Sequence, residues 1–194
     1  MESREIEINR APVLTLWAAV VAQRLGHDWD TALSLGKAVA GLNAQAKGRK
    51  LGIFSTKAEG EEEAVRAAKE VGPGEELWIQ VCGRPVPAKR TRDGLRAVVG
   101  HKPIDPDGVK AYLEKKLGVS FGTVKAAMEA LAGAYEPEDL EQAAYGLYER
   151  FRPEIPEGKR GWGQKGRLDL GVMGELARRD KVETSHRPTK SGRR

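Results

Sequence analysis

The apolar positions repeat with a helical period at both ends of the chain and alternate residue by residue in the middle. Residues 12–25 read as a helix, with Pro12 at its favoured first position and Gly26 just past its end. Val13, Leu14, Leu16, Trp17, Val20, Val21 and Leu25 lie almost all round it, so it should be buried on several sides. Asp28 can cap a second helix over 29–47, ended by Gly48. The short Gly26-His27 link makes the two an antiparallel hairpin, whose Ala and Gly residues allow close approach. Residues 51–54 suggest a short strand or a packing arm, and 61–71 a third helix with acidic residues in its first turn. Gly72-Pro73-Gly74 is the clearest linker signal.

Beyond it the period becomes two. Leu77, Ile79 and Val81 alternate with Trp78 and Gln80, a turn is expected at Gly83-Arg84, and a third run covers 95–99. Pro85 and Pro87 should confine the middle strand to an edge or an irregular path. The helical period then returns. One helix starts at Pro106 behind Asp105, one spans 121–135, and one starts near Pro137 with Leu140, Ala143, Ala144, Leu147, Tyr148 and Phe151 on one face. These three should pack on one another. Residues 153–167 read as a Pro/Gly loop, 170–179 as a last helix, and 180–194 as a disordered basic tail. The expected fold is mainly α (α+β): an N-terminal helical hairpin, a small antiparallel β-sheet and a C-terminal three-helix block. The best division lies between 1–72 and 75–179, which could equally form one domain.

Composition narrows the setting. One cysteine, Cys82, excludes an internal disulfide, and the acidic start lacks the pattern of a signal peptide. The apolar run 11–25 is too short for a bilayer span, so a cytoplasmic protein without a membrane partner is expected. Few Asn residues and abundant Lys, Arg and Glu give a thermophile-like composition.

Charge changes the picture more. The net charge is +5, but residues 77–104 hold six basic side chains against one acidic, and 153–194 hold eleven against six. The intervening segments are mildly acidic, which points to a local anionic partner. Arg84, Lys89, Arg90, Arg92 and Arg96 fall on the expected sheet, where strand spacing would set them against successive phosphates. The alternative is a solubilising edge, because cations blunt exposed strands. A second basic stretch is Lys159-Arg160-Gly161-Trp162-Gly163-Gln164-Lys165-Gly166-Arg167. It formally contains G-x-G-x-x-G, but no strand–helix unit surrounds it, so a dinucleotide site is excluded. Its backbone N–H groups and four cations suit phosphate, and Trp162 would either stack on a base or pin the loop to the helices.

Residues 113–124 carry Gly118-Val119-Ser120 followed by Thr123-Val124. This resembles the turn and recognition-helix start of helix-turn-helix repressors of the lactose-repressor type. Gly118 would supply a left-handed turn, Ser120 the cap, and Val124 the packing between helices. The resemblance implies that Ser120, Phe121, Gly122, Thr123 and Lys125 face a major groove. It departs from the motif at Glu114, where the motif has a small residue. The stretches 11–21, 37–43 and 161–166 are also similar to bacterial proteins described only as hypothetical, a resemblance that implies no activity.

No catalytic or metal-binding constellation stands out. His27, His101 and His186 are scattered, and Cys82 ends an apolar strand as a packing residue would. No cofactor is implied. The expectation is nucleic-acid binding, DNA first, through the basic sheet and the 159–167 loop. The alternative is a protein-interaction or scaffold module, possibly a homodimer, using the 136–152 helix as its partner surface.

Overall fold

The computed structural model describes residues 4–50, 76–159 and 163–185. Helix α1 (Arg10–Arg24) is the axis of the molecule: eleven of its fifteen residues are buried, as its all-round apolar pattern requires. It starts two residues before Pro12, which is therefore its third residue. That position is still in the first turn, where an N–H has no partner inside the helix and proline is tolerated.

Helix α2 (Trp29–Lys50) returns along α1 after Gly26, whose φ of +108° makes the link possible. Asp28 caps it as expected, accepting from Thr31 N–H at 3.0 Å. Gly48 does not end it; the helix continues to Lys50. The two helices meet where Gly36 faces α1. A Cβ on Gly36 would stand 2.3 Å from Thr15 O and 2.9 Å from Ala19 N, so only glycine allows this approach.

Around α1 lie α3 (Pro106–Leu117), α4 (Phe121–Ala132) and α5 (Pro137–Phe151). Each packs on α1, and α3 also on α2, more than these three pack on one another, so the C-terminal helical block is built onto α1. Trp17 joins the halves. Its indole Nε1 donates to Ala144 O at 2.8 Å, and its ring meets Phe151 edge-on at 5.2 Å. Leu140, Ala144, Leu147, Tyr148 and Phe151 are all buried, so the apolar face of α5 is occupied within the chain.

The sheet has the order β2-β3-β4-β5, antiparallel throughout: β2 (Glu76–Val81), β3 (Arg84–Thr91), β4 (Gly94–Val99) and β5 (Lys102–Pro103). The first turn is one residue earlier than expected. Cys82 and Gly83 both have positive φ, 52° and 70°, the pair of left-handed conformations a two-residue hairpin favours. β3 is an inner strand despite its prolines, contrary to expectation. The reason is register: β4 pairs with β3 only from Ala88 to Thr91, while Pro85 and Pro87 oppose β2 alone. The proline half of β3 is thus free of the donor demand that a doubly paired strand imposes.

On its other edge β4 pairs with the short β5 at Val98 and Val99, and its earlier residues meet α2. Ala97 N–H donates to Ser34 Oγ at 2.9 Å, and Thr31 Oγ1 stands 2.7 Å from Leu95 O. A second, two-stranded sheet pairs β1 (Glu5–Ile8) with β6 (Gly166–Asp169), where the sequence suggested only a loop end. Helix α6 (Leu170–Ser185) runs past the expected boundary at 179 and packs on α4 and α5. The cluster of buried side chains is continuous from Ile8 to Leu176 and draws on both sides of the 72–74 linker. That linker, the helix expected at 61–71, the 51–54 segment and the last nine residues of the tail lie outside the described residues. No helix among the described residues is long and apolar enough to cross a membrane.

Candidate nucleic-acid interface

The β3–β4 hairpin ends in Lys89-Arg90-Thr91-Arg92-Asp93-Gly94, and this tip gathers three of the sheet's cations. Arg90 and Arg92 are exposed and Lys89 is half-buried. The turn between the strands is tied down from within. Thr91 Oγ1 donates to Gly94 O at 2.7 Å and accepts from Asp93 N–H at 3.3 Å, and Gly94 takes φ +120°. Lys89 and Arg90 are neighbours in a strand, so they leave opposite faces of the ribbon, with Arg92 at its end. Among the described residues none of the three forms an ion pair; Lys89 is in register with Glu76 across the strand pair.

Arg96 does not join them. It is 6% exposed, its Nη1 donates to Leu95 O at 2.8 Å and its Nη2 to Asp93 O at 3.1 Å. Asp30 lies 3.9 Å away. Strand parity placed this arginine beside Lys89, but the start of α2 closes over it and its guanidinium serves as an internal brace for the hairpin turn.

Arg84 is also separated from the tip. It opens β3, seven residue steps from Thr91, so roughly 23 Å away along an extended strand. Its guanidinium lies over the Tyr145 ring of α5, 6.0 Å from the centroid, with Nη2 3.5 Å from Asn43 Oδ1. The cations of the sheet thus divide between its two ends rather than forming one stripe.

In the 159–167 stretch, Lys159 and Lys165 are exposed, while Arg160 and Trp162 lie outside the described residues. Arg167 belongs to β6. It lies 3.6 Å from Glu5 and 3.5 Å from Glu154, so its charge is largely answered by neighbouring acids.

The repressor-like segment keeps some of its expected geometry. Gly118 has φ +53°, and Val124 is buried. Ser120, however, sits at φ −85° and ψ −9° in a 3-10 turn over Gly118–Ser120 and makes no side-chain cap bond. Its backbone is already helical there, so the hydroxyl is not placed over the free N–H groups of α4. Thr123 is half-buried. Lys125 pairs with Glu129 one turn on and lies 4.7 Å from the centre of the Trp29 ring. The open face of α4 carries Gly122, Ala126, Glu129 and Ala130, a short surface with few groups that could reach base edges.

Sequence reasoning passed over Trp78, which alternation marks as outward-facing. It is 48% exposed and opposes Pro87 across the β2–β3 pair. It also passed over Asn43 and Tyr145, far apart in the chain, whose hydrogen bond forms only in the fold. Cys82 is buried, and desolvation pushes its thiol up to about 12, which makes a thiolate nucleophile unavailable at neutral pH. Among the described residues no cluster of His, Cys, Asp and Glu could hold a metal ion. Neither family models, nor curated proteins, nor solved structures yield a match to this chain.

Proposed function

We propose that the protein binds nucleic acid through the tip of the β3–β4 hairpin, with Lys89, Arg90 and Arg92 contacting phosphates. The observation that carries this reading is a braced turn presenting two exposed cations, Arg90 and Arg92, beside the half-buried Lys89, none ion-paired among the described residues. A solubilising edge needs no such bracing. A ribbon that spreads positive charge over both faces suits the sugar-phosphate walls of a groove, and such contacts position the protein without reading sequence. Trp78, half exposed on the same sheet beside Pro87, offers a face on which an unpaired base can stack, worth about 1–3 kcal/mol per base.

A scaffold role for the 136–152 helix has less support, because its apolar residues fill the core beside α1. The test is fluorescence anisotropy with labelled duplex and single-stranded oligonucleotides at low salt. Neutralising the tip (Lys89→Gln, Arg90→Gln, Arg92→Gln) should weaken both, whereas Lys159→Gln with Lys165→Gln should have a smaller effect. Trp78→Ala should weaken the single strand selectively. Absence of binding to either form at low salt defeats the proposal.

A further inference from the structure

Among the described residues the sheet edges are guarded, with one exception. β5 is only Lys102 and Pro103, two residues that discourage a further strand. β6 turns its outer side to Glu154, with which Arg167 exchanges backbone bonds of 2.9 and 2.8 Å. β1 carries Glu5 and Glu7 on one face, so a second copy of β1 paired on it would set acid against acid. The half of β3 that β4 does not reach carries Pro85 and Pro87, which have no N–H to offer. β2 has none of these devices. It is first in the strand order, so it is paired on one side only, and it contains no lysine, arginine or proline. Its only charged residue is Glu76, at its start, while Trp78, Ile79 and Val81 favour a strand.

The hairpin decides which backbone groups of β2 face outward. Cys82 and Gly83 form a two-residue turn, so Val81 and Arg84 close it as a hydrogen-bonded pair, and the pairs alternate from there. Val81, Ile79 and Leu77 therefore direct their N–H and C=O groups to β3. Glu76, Trp78 and Gln80 direct theirs away from it, and among the described residues no backbone group of another element meets them. Trp78 and Gln80 are both exposed.

These three positions are symmetric about Trp78. A second copy of β2, laid antiparallel with a two-fold axis at Trp78, sets Trp78 opposite Trp78 and Glu76 opposite Gln80. Every outward donor and acceptor of the three then has a partner. An axis at Ile79 would leave Glu76 out. The existing partners in β3 extend the rows: Pro87 flanks Trp78 on each side of the axis, and Lys89 flanks Glu76. The two indoles thus stand side by side between prolines, and no like charges are opposed. On the inner face the half-buried Leu77 stands opposite Ile79 of the second copy, also half-buried.

We propose that β2 is a dimerisation edge, on which two copies of the chain pair β2 with β2 about Trp78 and join their four-stranded sheets into one. This goes beyond nucleic-acid binding and does not rest on it. The dimer covers part of Trp78, so stacking on an unpaired base competes with it.

The experiment is sedimentation equilibrium of the full chain from low micromolar to near-millimolar concentration. No nucleic acid is present, so the outcome is independent of the hairpin-tip reading. One pair of short strands is a small interface, so a reversible dimer with a micromolar dissociation constant is expected. Trp78→Ala should weaken it about tenfold or more, because an aromatic side chain at the centre of an interface carries much of its energy. Gln80 tests the register. Gln80→Glu sets an acid opposite Glu76 of the second copy and should weaken the dimer severalfold, whereas Gln80→Lys should tighten it severalfold, each effect acting twice by symmetry. Both positions are exposed, so these variants keep the monomer fold. A monomer at every concentration overturns the proposal. So does a dimer indifferent to Trp78→Ala, or one that Gln80→Glu and Gln80→Lys shift in the same direction.

Discussion

Replacing Gly36 by alanine tests the packing on which the whole fold is built. In an open helix the change is favourable by about 1 kcal/mol, because alanine restricts the unfolded chain and favours the helix. Gly41, on an exposed part of the same helix with nothing within 4 Å of an added Cβ, should show that gain. At Gly36 the same methyl would lie 2.3 Å from Thr15 O and 2.9 Å from Ala19 N. Both are backbone atoms of the central helix, so no side chain can swing aside. Relief requires α1 and α2 to separate by about 1 Å, and overpacking of this kind costs about 1–3 kcal/mol or more. The propensity gain offsets part of this, leaving Gly36→Ala destabilised by about 2 kcal/mol. Urea unfolding at 25 °C reads both variants. With a slope of about 2 kcal/mol per molar for a chain of this size, Gly36→Ala should lower the midpoint by about 1 M and Gly41→Ala should raise it slightly. If both variants move the midpoint in the same direction, the close approach of the two helices is not as described.

Ser34→Ala should leave the Ala97 N–H buried without its acceptor, costing about 1–3 kcal/mol and speeding hydrogen exchange at that amide. Asp28 is held below the usual carboxylate range, first by the Thr31 N–H bond and then by the Thr31 hydroxyl, against some burial. Its lowered folded value means that its contribution to stability is present above the unfolded carboxylate pKa and is lost as pH falls through the folded one. The stability gap between wild type and Asp28→Asn, measured by chemical unfolding across the acid range, should therefore be largest at neutral pH and close in acid. Cys82, buried and with its thiol raised to about 12, should resist a thiol reagent at neutral pH until the chain unfolds; rapid labelling of the native protein would contradict its burial.

The helices were legible because their signals are local. Val13 to Val21 wrap a helix completely, and Asp28 and Asp105 mark the starts they cap. The alternation of Leu77, Ile79 and Val81 likewise marks β2. What the sequence hid depends on partners far along the chain. β1 is four residues long and becomes a strand by pairing with Gly166–Asp169, more than 150 residues later. The prolines of β3 argued for an edge, which holds for its first half, where β4 does not reach. Arg96 alternates like a surface cation, yet the start of α2 covers it. Arg10 looked unremarkable within its own segment. Arg10 finds its partner, Pro153 O, only because the chain after α5 folds back to the start of α1.

The salt dependence of nucleic-acid binding tests the central claim most directly. If Lys89, Arg90 and Arg92 each neutralise one phosphate, removing all three should flatten the plot of log affinity against log salt by about 2.7 on duplex DNA and about 2 on single strands. Titrations of the wild type and the tip-neutralised variant from low to physiological salt read that difference. A slope unchanged by loss of the three cations would place the contacts elsewhere and contradict the assignment of the hairpin tip.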